Sequence, residues 1–260
     1  MKVCVLASSS SGNCTLLESA EGRVLLDVGL SWSRTASSLA SIGVDPFTIN
    51  AIVISHEHSD HVAGIGPVSR KLKCPIYVAP KTLAFASSRF ERVDSSLLVP
   101  IAAGRPFEVG DLQFNPFPVP HDAADPLGFV VRNGCAKVGI ATDLGYPTKL
   151  VRECLKGCNV LVVESNHDKR MLLDGPYPWN IKQRIASRHG HLSNEQSAAL
   201  LSALVHEELL AVLLSHLSEE NNTPEMAFNS AARVLNEANR QEVILRVASR
   251  FQPSEFIEAG

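Results

Sequence analysis

No apolar stretch in this 260-residue chain approaches the ~18–20 residues that a bilayer-spanning helix needs, which excludes a transmembrane helix. Positive charge is not in excess either. With 24 Lys and Arg against 27 Asp and Glu, the net charge of −3 excludes a globally basic nucleic-acid binder but leaves room for a local basic groove. None of the six cysteines forms a CxxC pair, so neither a zinc ribbon nor a thioredoxin-like site is expected. Cys154 and Cys158, one helical turn apart, read as packing residues. An export signal is also missing. The apolar part of the opening MKVCVLASSSSGNC is only Val3–Ala7, shorter than the ~7–15 residues of a signal-peptide core, and Gly12–Asn13 before Cys14 is no lipoprotein cleavage site. The expectation is a cytoplasmic protein with reduced thiols and no membrane partner.

What is present is a chain 45% hydrophobic, enough for one large α/β domain. Val3–Ala7, Thr15–Glu18 and Val24–Val28 read as short strands separated by Ser/Gly/Asn turns. Ile52–Ile54 and Ile76–Ala79 continue the strands, with helical spacing over Val62–Leu72 between them. From Pro106 to Thr142 the pattern is β-rich, and Asn133–Gly134 signals a hairpin turn between Gly128–Arg132 and Ala136–Ile140. A helix around Thr148–Lys156 precedes the apolar strand Val160–Val163. Ser193, with Gln196 three residues on, makes a capping box for a helix to His206. Leu209–Leu214 is a strand, Thr223–Pro224 opens a helix to about Ala238, and Val243–Val247 is the last strand. With no long linker, low-complexity tract or tandem repeat, one domain over residues 1–260 is expected.

The chemistry is concentrated in SHEHSDH, Ser55–His61, directly after the apolar run Ala51–Ile54. On an extended segment His56 and His58 point the same way, and Asp60 and His61 follow on the next turn. One stretch therefore offers two nitrogens to one metal ion, and an oxygen and a nitrogen to a second. Such a cluster cannot complete two sites of about four ligands each. The remaining candidates share a context: Asp27 in LLDVG, His121 in PVPHDAADPLGF, Asp143 in GIATDLG and His216 in LLSHLSEEN each sit just past an apolar strand-like run. Strand ends are where α/β folds assemble sites.

In this order the residues resemble the five motifs of the metallo-β-lactamase superfamily across nearly the whole chain. That resemblance implies an α/β fold of the α+β type, a four-layer αββα sandwich of two mixed sheets flanked by helices, with a dinuclear metal site at one edge. It implies that His56, His58 and His121 hold one ion, that Asp60, His61 and His216 hold the other, and that Asp143 bridges them. Asp27 would orient a ligand histidine from behind. Zinc is the default for such a His-rich set, while mixed His/Asp ligation also suits manganese or iron.

The surrounding motifs separate the branches. Asp143 stands where the lactamases carry cysteine, and PHDAADPLGF replaces the GHTxG of the glyoxalase II-type thioesterases; both features resemble the phosphodiesterase and nuclease branch. SSSSGNCTLLES, ESNHD, GHLSNEQ and LSHLSEENNTPE together resemble the YycJ (WalJ) family, which is associated with DNA exonuclease activity. The interval from Asp143 to His216 is too short for the β-CASP insertion of larger nucleases. Between His167 and His191, Lys169, Arg170, Lys182, Arg184 and Arg188 alternate with Tyr177 and Trp179, a composition suited to single-stranded nucleic acid. Asn166, His167, Lys182, Arg184 and Arg188 are accordingly expected to touch substrate. His191, two residues before the Ser193 cap, is the expected proton donor, with His189 and His167 as alternates. Asp60 is expected to orient a metal-bridging hydroxide. The resulting expectation is a two-metal phosphodiesterase acting on DNA. A small-molecule phosphodiesterase resembling PhnP, and a non-catalytic metal-bound scaffold for nucleic acid, are the alternatives.

Overall fold

Runs of three to seven mostly aliphatic residues, cut by Ser, Gly, Asn and Asp turns, become strands because β-branched and aliphatic side chains pack well on a pleated sheet buried on both faces. The computed structural model describes residues 1–260. In the first half, β1 (Lys2–Ala7), β2 (Cys14–Glu18) and β3 (Arg23–Leu26) are followed by helix α1 (Trp32–Ser41) and β4 (Ala51–Val53). Helices α2 (Ser59–Val62) and α3 (Ile65–Leu72) come next, then β5 (Ile76–Val78), α4 (Pro80–Phe85), α5 (Ser87–Phe90) and β6 (Leu98–Pro100). The second half opens with β7 (Phe107–Val109), β8 (Leu112–Pro118), β9 (Leu127–Asn133) and β10 (Ala136–Ala141). It continues through α6 (Lys149–Leu155), β11 (Val160–Glu164), α7 (Lys169–Asp174), α8 (Trp179–Ile185) and α9 (Asn194–Leu204). It ends with β12 (Ala211–Ser215), α10 (Pro224–Glu237), β13 (Ile244–Val247) and β14 (Ile257–Glu258).

These strands form two seven-stranded sheets, ordered β14-β1-β2-β3-β4-β5-β6 and β13-β12-β11-β10-β9-β8-β7. Each sheet is antiparallel where hairpins build it and parallel where helices connect its strands: β3 to β6 in one, β10 to β13 in the other. β14 crosses back to pair with β1, so the last strand of the chain completes the first sheet. Val5, Val24 and Val53 of one sheet meet Phe114, Phe129, Ile140 and Leu213 of the other in a shared apolar core. The outer face of the first sheet packs through Leu25 and Ile52 on helix residues Leu39, Ile65 and Val68. The outer face of the second packs through Leu161 and Val212 on Val151, Leu201 and Leu235. This is the four-layer αββα sandwich of the expectation.

Local rules account for the helix ends. Ser193 and Gln196 form the reciprocal capping box, and Thr223 caps α10 with Pro224 in its first turn. Two expectations need correction. The helix expected over Val62–Leu72 starts earlier and is split in two around Gly64. A side chain there would stand 1.8 Å from the Leu30 carbonyl oxygen, so backbone presses on backbone, and the Gly64 N–H donates to Val28 at 2.8 Å. The hairpin turn lies one residue later than expected, because Asn133 pairs with Ala136 and stays in β9. The Asn133 amide reaches Asp111 instead of forming the turn, leaving Gly134, at φ +56°, to reverse the chain.

Close packing also fixes the loop that carries Asp60. A Cβ on Gly29 would lie 1.6 Å from the Asp60 carbonyl oxygen, which itself accepts the Asn13 N–H at 2.8 Å. Gly29→Ala is therefore expected to destabilise the fold by about 1–3 kcal/mol, the usual range for overpacking. It is also expected to weaken metal uptake by displacing Asp60. A urea midpoint and metal content equal to wild type would contradict this placement of the backbone.

Candidate metal centre

One edge of the sandwich collects the ends of strands from both sheets. Asp27 follows β3, His56 follows β4, Asp143 follows β10 and His216 follows β12. Asp27, Asp143 and His216 all hold left-handed backbone, with φ of 61°, 56° and 56°. Asp and His enter this region more readily than most residues with a Cβ, and it turns the side chain out of the strand direction into the site. His56 and His58 lie on the extended link after β4, whereas Asp60 and His61 occupy the first turn of α2.

The ligand atoms of His56, His58 and His121 lie within 4.8 Å of one another, as do those of Asp60, His61, Asp143 and His216. His121 Nε2 stands 3.2 Å from His58 Nδ1. His216 Nε2 is 3.2 Å from Asp60 Oδ2, and His61 Nε2 is 3.1 Å from Asp143 Oδ2. Asp143 joins the two groups: its Oδ1 is 3.7 Å from His121 Nε2 and 3.5 Å from His216 Nε2. Two atoms test whether a cation fits here. His56 Nε2 and Asp143 Oδ2 are buried with no hydrogen-bond partner, in the middle of converging nitrogens and oxygens. Buried polar atoms are otherwise nearly always paired. Imidazole and carboxylate around a common point are a divalent-metal donor set, so the residues of this cluster fit a divalent metal.

The ligand histidines are aimed from behind. The Asp27 carboxylate accepts His61 Nδ1–H at 2.7 Å and is itself fixed by the backbone N–H and hydroxyl of Ser55. Ser55 Oγ also meets His56 Nδ1 at 3.0 Å. His121 Nδ1–H donates to the Gly190 carbonyl at 3.1 Å, and His216 Nδ1–H donates to Glu164 Oε1 at 2.8 Å. In each case the distal Nε2 is left for the centre. The electrostatics follow. Burial alone would raise the Asp143 carboxyl, but the charges of His216 and His61 outweigh it and hold the group well below the usual carboxylate range. Burial opposes protonation of His61 too, yet Asp143, Asp27 and Asp60 push it well upward. His56 goes the other way, lowered by burial and by the charge on His61.

Three residues with structural work at this edge lie within SSSSGNCTLLES and ESNHD, where the sequence alone gives them no individual role. Glu164, fully buried at the end of β11, accepts His191 Nδ1–H and His216 Nδ1–H on Oε1, each at 2.8 Å. Its Oε2 accepts the backbone N–H groups of Leu144 at 3.0 Å and Leu192 at 2.9 Å. Burial opposes its ionisation, but the charge of His191 and the hydrogen bonds from His191 and His216 bring it to about 2. With both oxygens occupied, Glu164 braces histidines and is not a free metal ligand. Asn13 donates to Asp60 Oδ2 at 2.9 Å, and Ser8 Oγ accepts the His216 N–H at 2.7 Å. The serine-rich opening is thus a loop that holds the Asp60 side chain and the His216 backbone.

A cleft of about 340 Å³ opens over the centre, lined among others by His58, Asp60, Asn166, Arg184, His191 and His216. Two histidines of the cleft wall are partly accessible, His58 with its side chain 28% exposed and His191 with its side chain 18% exposed. Arg184 donates to Asp122 Oδ2, which ties it to the PHD loop. The expected substrate residues separate here. Asn166 and Arg184 line the cleft, with the Asn166 amide donating to the His216 carbonyl at 2.8 Å. His167 and Lys182 line a neighbouring cavity on the other side of α8. Arg188 lines neither, its guanidinium lying 4.5 Å from the Tyr146 ring centroid. The alternate His189 is exposed on the surface.

Comparisons with known proteins give this geometry its relatives. Residues 22–216 match the β-lactamase superfamily domain. The exodeoxyribonuclease YycJ of Bacillus anthracis is 36% identical over 90% of this chain and 88% of its own. The exodeoxyribonuclease WalJ of Streptococcus pneumoniae is 36% identical over 92% of this chain and 89% of its own. Among solved structures, zinc-bound PqqB from Methylobacterium extorquens superposes with a TM-score of 0.74 over 98% of this chain and 100% of its own, at 19% identity, a likeness of fold. With the domain matched over most of its length and such identity spanning nine-tenths of it, the chain belongs to the metallo-β-lactamase superfamily, in the family of YycJ and WalJ.

Proposed function

We propose that the protein is a metal-dependent phosphodiesterase that degrades DNA from an end, using two divalent ions, zinc or manganese, per chain. The observation that carries this reading is the pair of histidine-rich groups joined by Asp143, under an open polar cleft with Arg184 and His191 on its walls. The named activity of relatives 36% identical supports DNA as the substrate. His56, His58 and His121 would hold one ion, Asp60, His61 and His216 the other, and Asp143 both. When bound, two such ions supply the positive charge against which phosphodiester hydrolysis proceeds and bring water within reach of deprotonation near neutral pH.

The chain's own groups do the rest. Asp60, steadied by Asn13, accepts a hydrogen bond from the attacking water and orients it. Arg184 gives the cleft a cation for the phosphate, and Asp122 keeps that cation in place. His191 protonates the departing sugar oxygen. With Nδ1 engaged by Glu164, its other ring nitrogen is left for the cleft, and Glu164 raises its proton affinity above the ordinary value despite burial. All six cysteines are unpaired, which supports a reducing compartment, the cytoplasm, as the site of action.

The test is an assay on end-labelled single- and double-stranded DNA and RNA, with zinc and manganese supplied separately, alongside elemental analysis. Stepwise shortening of DNA and close to two ions per chain are expected. Hydrolysis of bis(p-nitrophenyl) phosphate with no oligonucleotide cleavage would move the reading to small diesters. Metal binding without hydrolysis of either would leave a binding scaffold.

A further inference from the structure

Helix α8 has two working faces. Ile181, Arg184 and Ile185 border the metal cleft, whereas Trp179, Lys182, Gln183 and Ala186 border a second cavity of about 280 Å³. The residues before α7 divide in the same way, Asn166 lining the cleft and His167 lining the cavity. The two spaces are therefore neighbours across a single short helix.

The second cavity has the features of a built site. His167 is 2% exposed, and its Nδ1 is buried with no hydrogen-bond partner. Burial lowers this imidazole to about 4, so at neutral pH the ring is uncharged and offers one donor and one acceptor. Beside it stand buried Leu172 and the exposed faces of Leu173 and Trp179, the indole being 63% exposed. Lys169 and Lys182 also line the cavity, and Lys182 is anchored by donating to the Leu173 carbonyl at 2.6 Å. An aromatic face, a floor of leucine, a neutral hydrogen-bonding ring and flanking cations match one chemistry closely: a planar, polar-edged heterocycle attached to a phosphate chain.

We propose that this cavity seats a nucleobase of the strand whose phosphate occupies the metal cleft, stacked on Trp179 and hydrogen-bonded by His167. This rests on the phosphodiesterase reading and adds a role to it. The base is held by contacts that every base satisfies at its π face, so the site grips a strand without demanding a sequence. An end-degrading enzyme needs that grip on each successive nucleotide.

Trp32→Phe leaves Trp179 as the single indole reporter, since the chain has two tryptophans. The metal-loaded protein is titrated with phosphorothioate-linked DNA and RNA oligonucleotides, either intact or carrying an abasic residue at successive positions. Intact strands are expected to quench Trp179 emission. An abasic residue at one position is expected to abolish quenching and weaken binding about tenfold, the worth of one base–aromatic stack. Trp179→Ala is expected to weaken binding of the intact strand by a similar factor and to erase the difference between intact and abasic strands. His167→Gln, which keeps hydrogen-bonding capacity, is expected to lose less than His167→Phe. Equal binding of intact and abasic strands with unquenched emission, while DNA is still degraded, overturns the base pocket and leaves the nuclease reading standing. Quenching by mononucleotides with no cleavage of any oligonucleotide has the opposite meaning: the pocket survives and the nuclease reading fails.

Discussion

Asp143→Asn is expected to reduce bound metal from about two ions to fewer than one per chain and to lower phosphodiester hydrolysis by at least ~10³-fold, since losing even a hydrogen bond behind a ligand typically costs 10–100-fold. Asp143 is the one residue whose two oxygens face both groups, Oδ1 toward His121 and His216, Oδ2 toward His61. Asparagine is the informative replacement because the backbone there is left-handed, at φ 56°. Asparagine tolerates that conformation, whereas alanine would add strain to the loss of charge and confuse folding with function. The side chain keeps its volume and loses its negative charge, which leaves the buried charges of His61 and His216 less well balanced. Those rings should then hold protons less readily, so the fold can survive while the centre does not. The measurement is elemental analysis after chelator-free purification, with circular dichroism to verify folding. A folded Asp143→Asn protein that keeps two ions and near-normal turnover would remove Asp143 from the bridging position.

Much of this candidate centre was legible from spacing and strand-end context together with the family resemblance, and the first two have a geometric reason. The two-residue step from His56 to His58 on extended backbone places both on one side, and the turn that follows brings Asp60 and His61 to the neighbouring point. Asp27, Asp143 and His216 were visible because each follows an apolar run, and the structure sets all three at one edge. Glu164 was not legible in the same sense. It closes the run VLVVE, and nothing local distinguishes a buried brace from an acid in a turn. Its partners His191, His216 and Leu144 come from elsewhere in the chain, and Ser8 meets His216 across 208 positions. Hydrogen bonds of that reach are products of the stacked sheets and leave no periodic trace. The basic–aromatic stretch is divided by the fold: α8 turns Arg184 toward the cleft and Lys182 toward the neighbouring cavity, a division set by helix rotation relative to two walls. The break at Gly64 belongs to the same class, because the approach of the Val28 and Leu30 carbonyls makes it necessary.

His191→Ala is expected to lower the rate on DNA by roughly 10²–10⁴-fold, the usual worth of a positioned acid, and to lower it far less on bis(p-nitrophenyl) phosphate. The contrast comes from the leaving groups. A sugar alkoxide is a strong base and departs slowly unless it is protonated, whereas p-nitrophenolate leaves readily without help. His191 is placed for this task by the Glu164 carboxylate 2.8 Å from its Nδ1, which fixes the ring and raises its proton affinity. The same carboxylate holds His216 at 2.8 Å, so the acid and a residue of the metal group share one anchor. Glu164→Gln keeps an amide oxygen for these rings but removes the charge. It should therefore show the same asymmetry between substrates at smaller amplitude. His191 Nδ1 also lies near Asp143 and His216, but it is engaged by Glu164 at 2.8 Å, so metal content in His191→Ala should match wild type. Rates are compared on the two substrates at saturating concentration, with the metal content of each preparation measured in parallel. An equal loss on DNA and on the activated diester would show that His191 binds phosphate or holds the cleft wall, and the proton for the leaving oxygen would have to come from water.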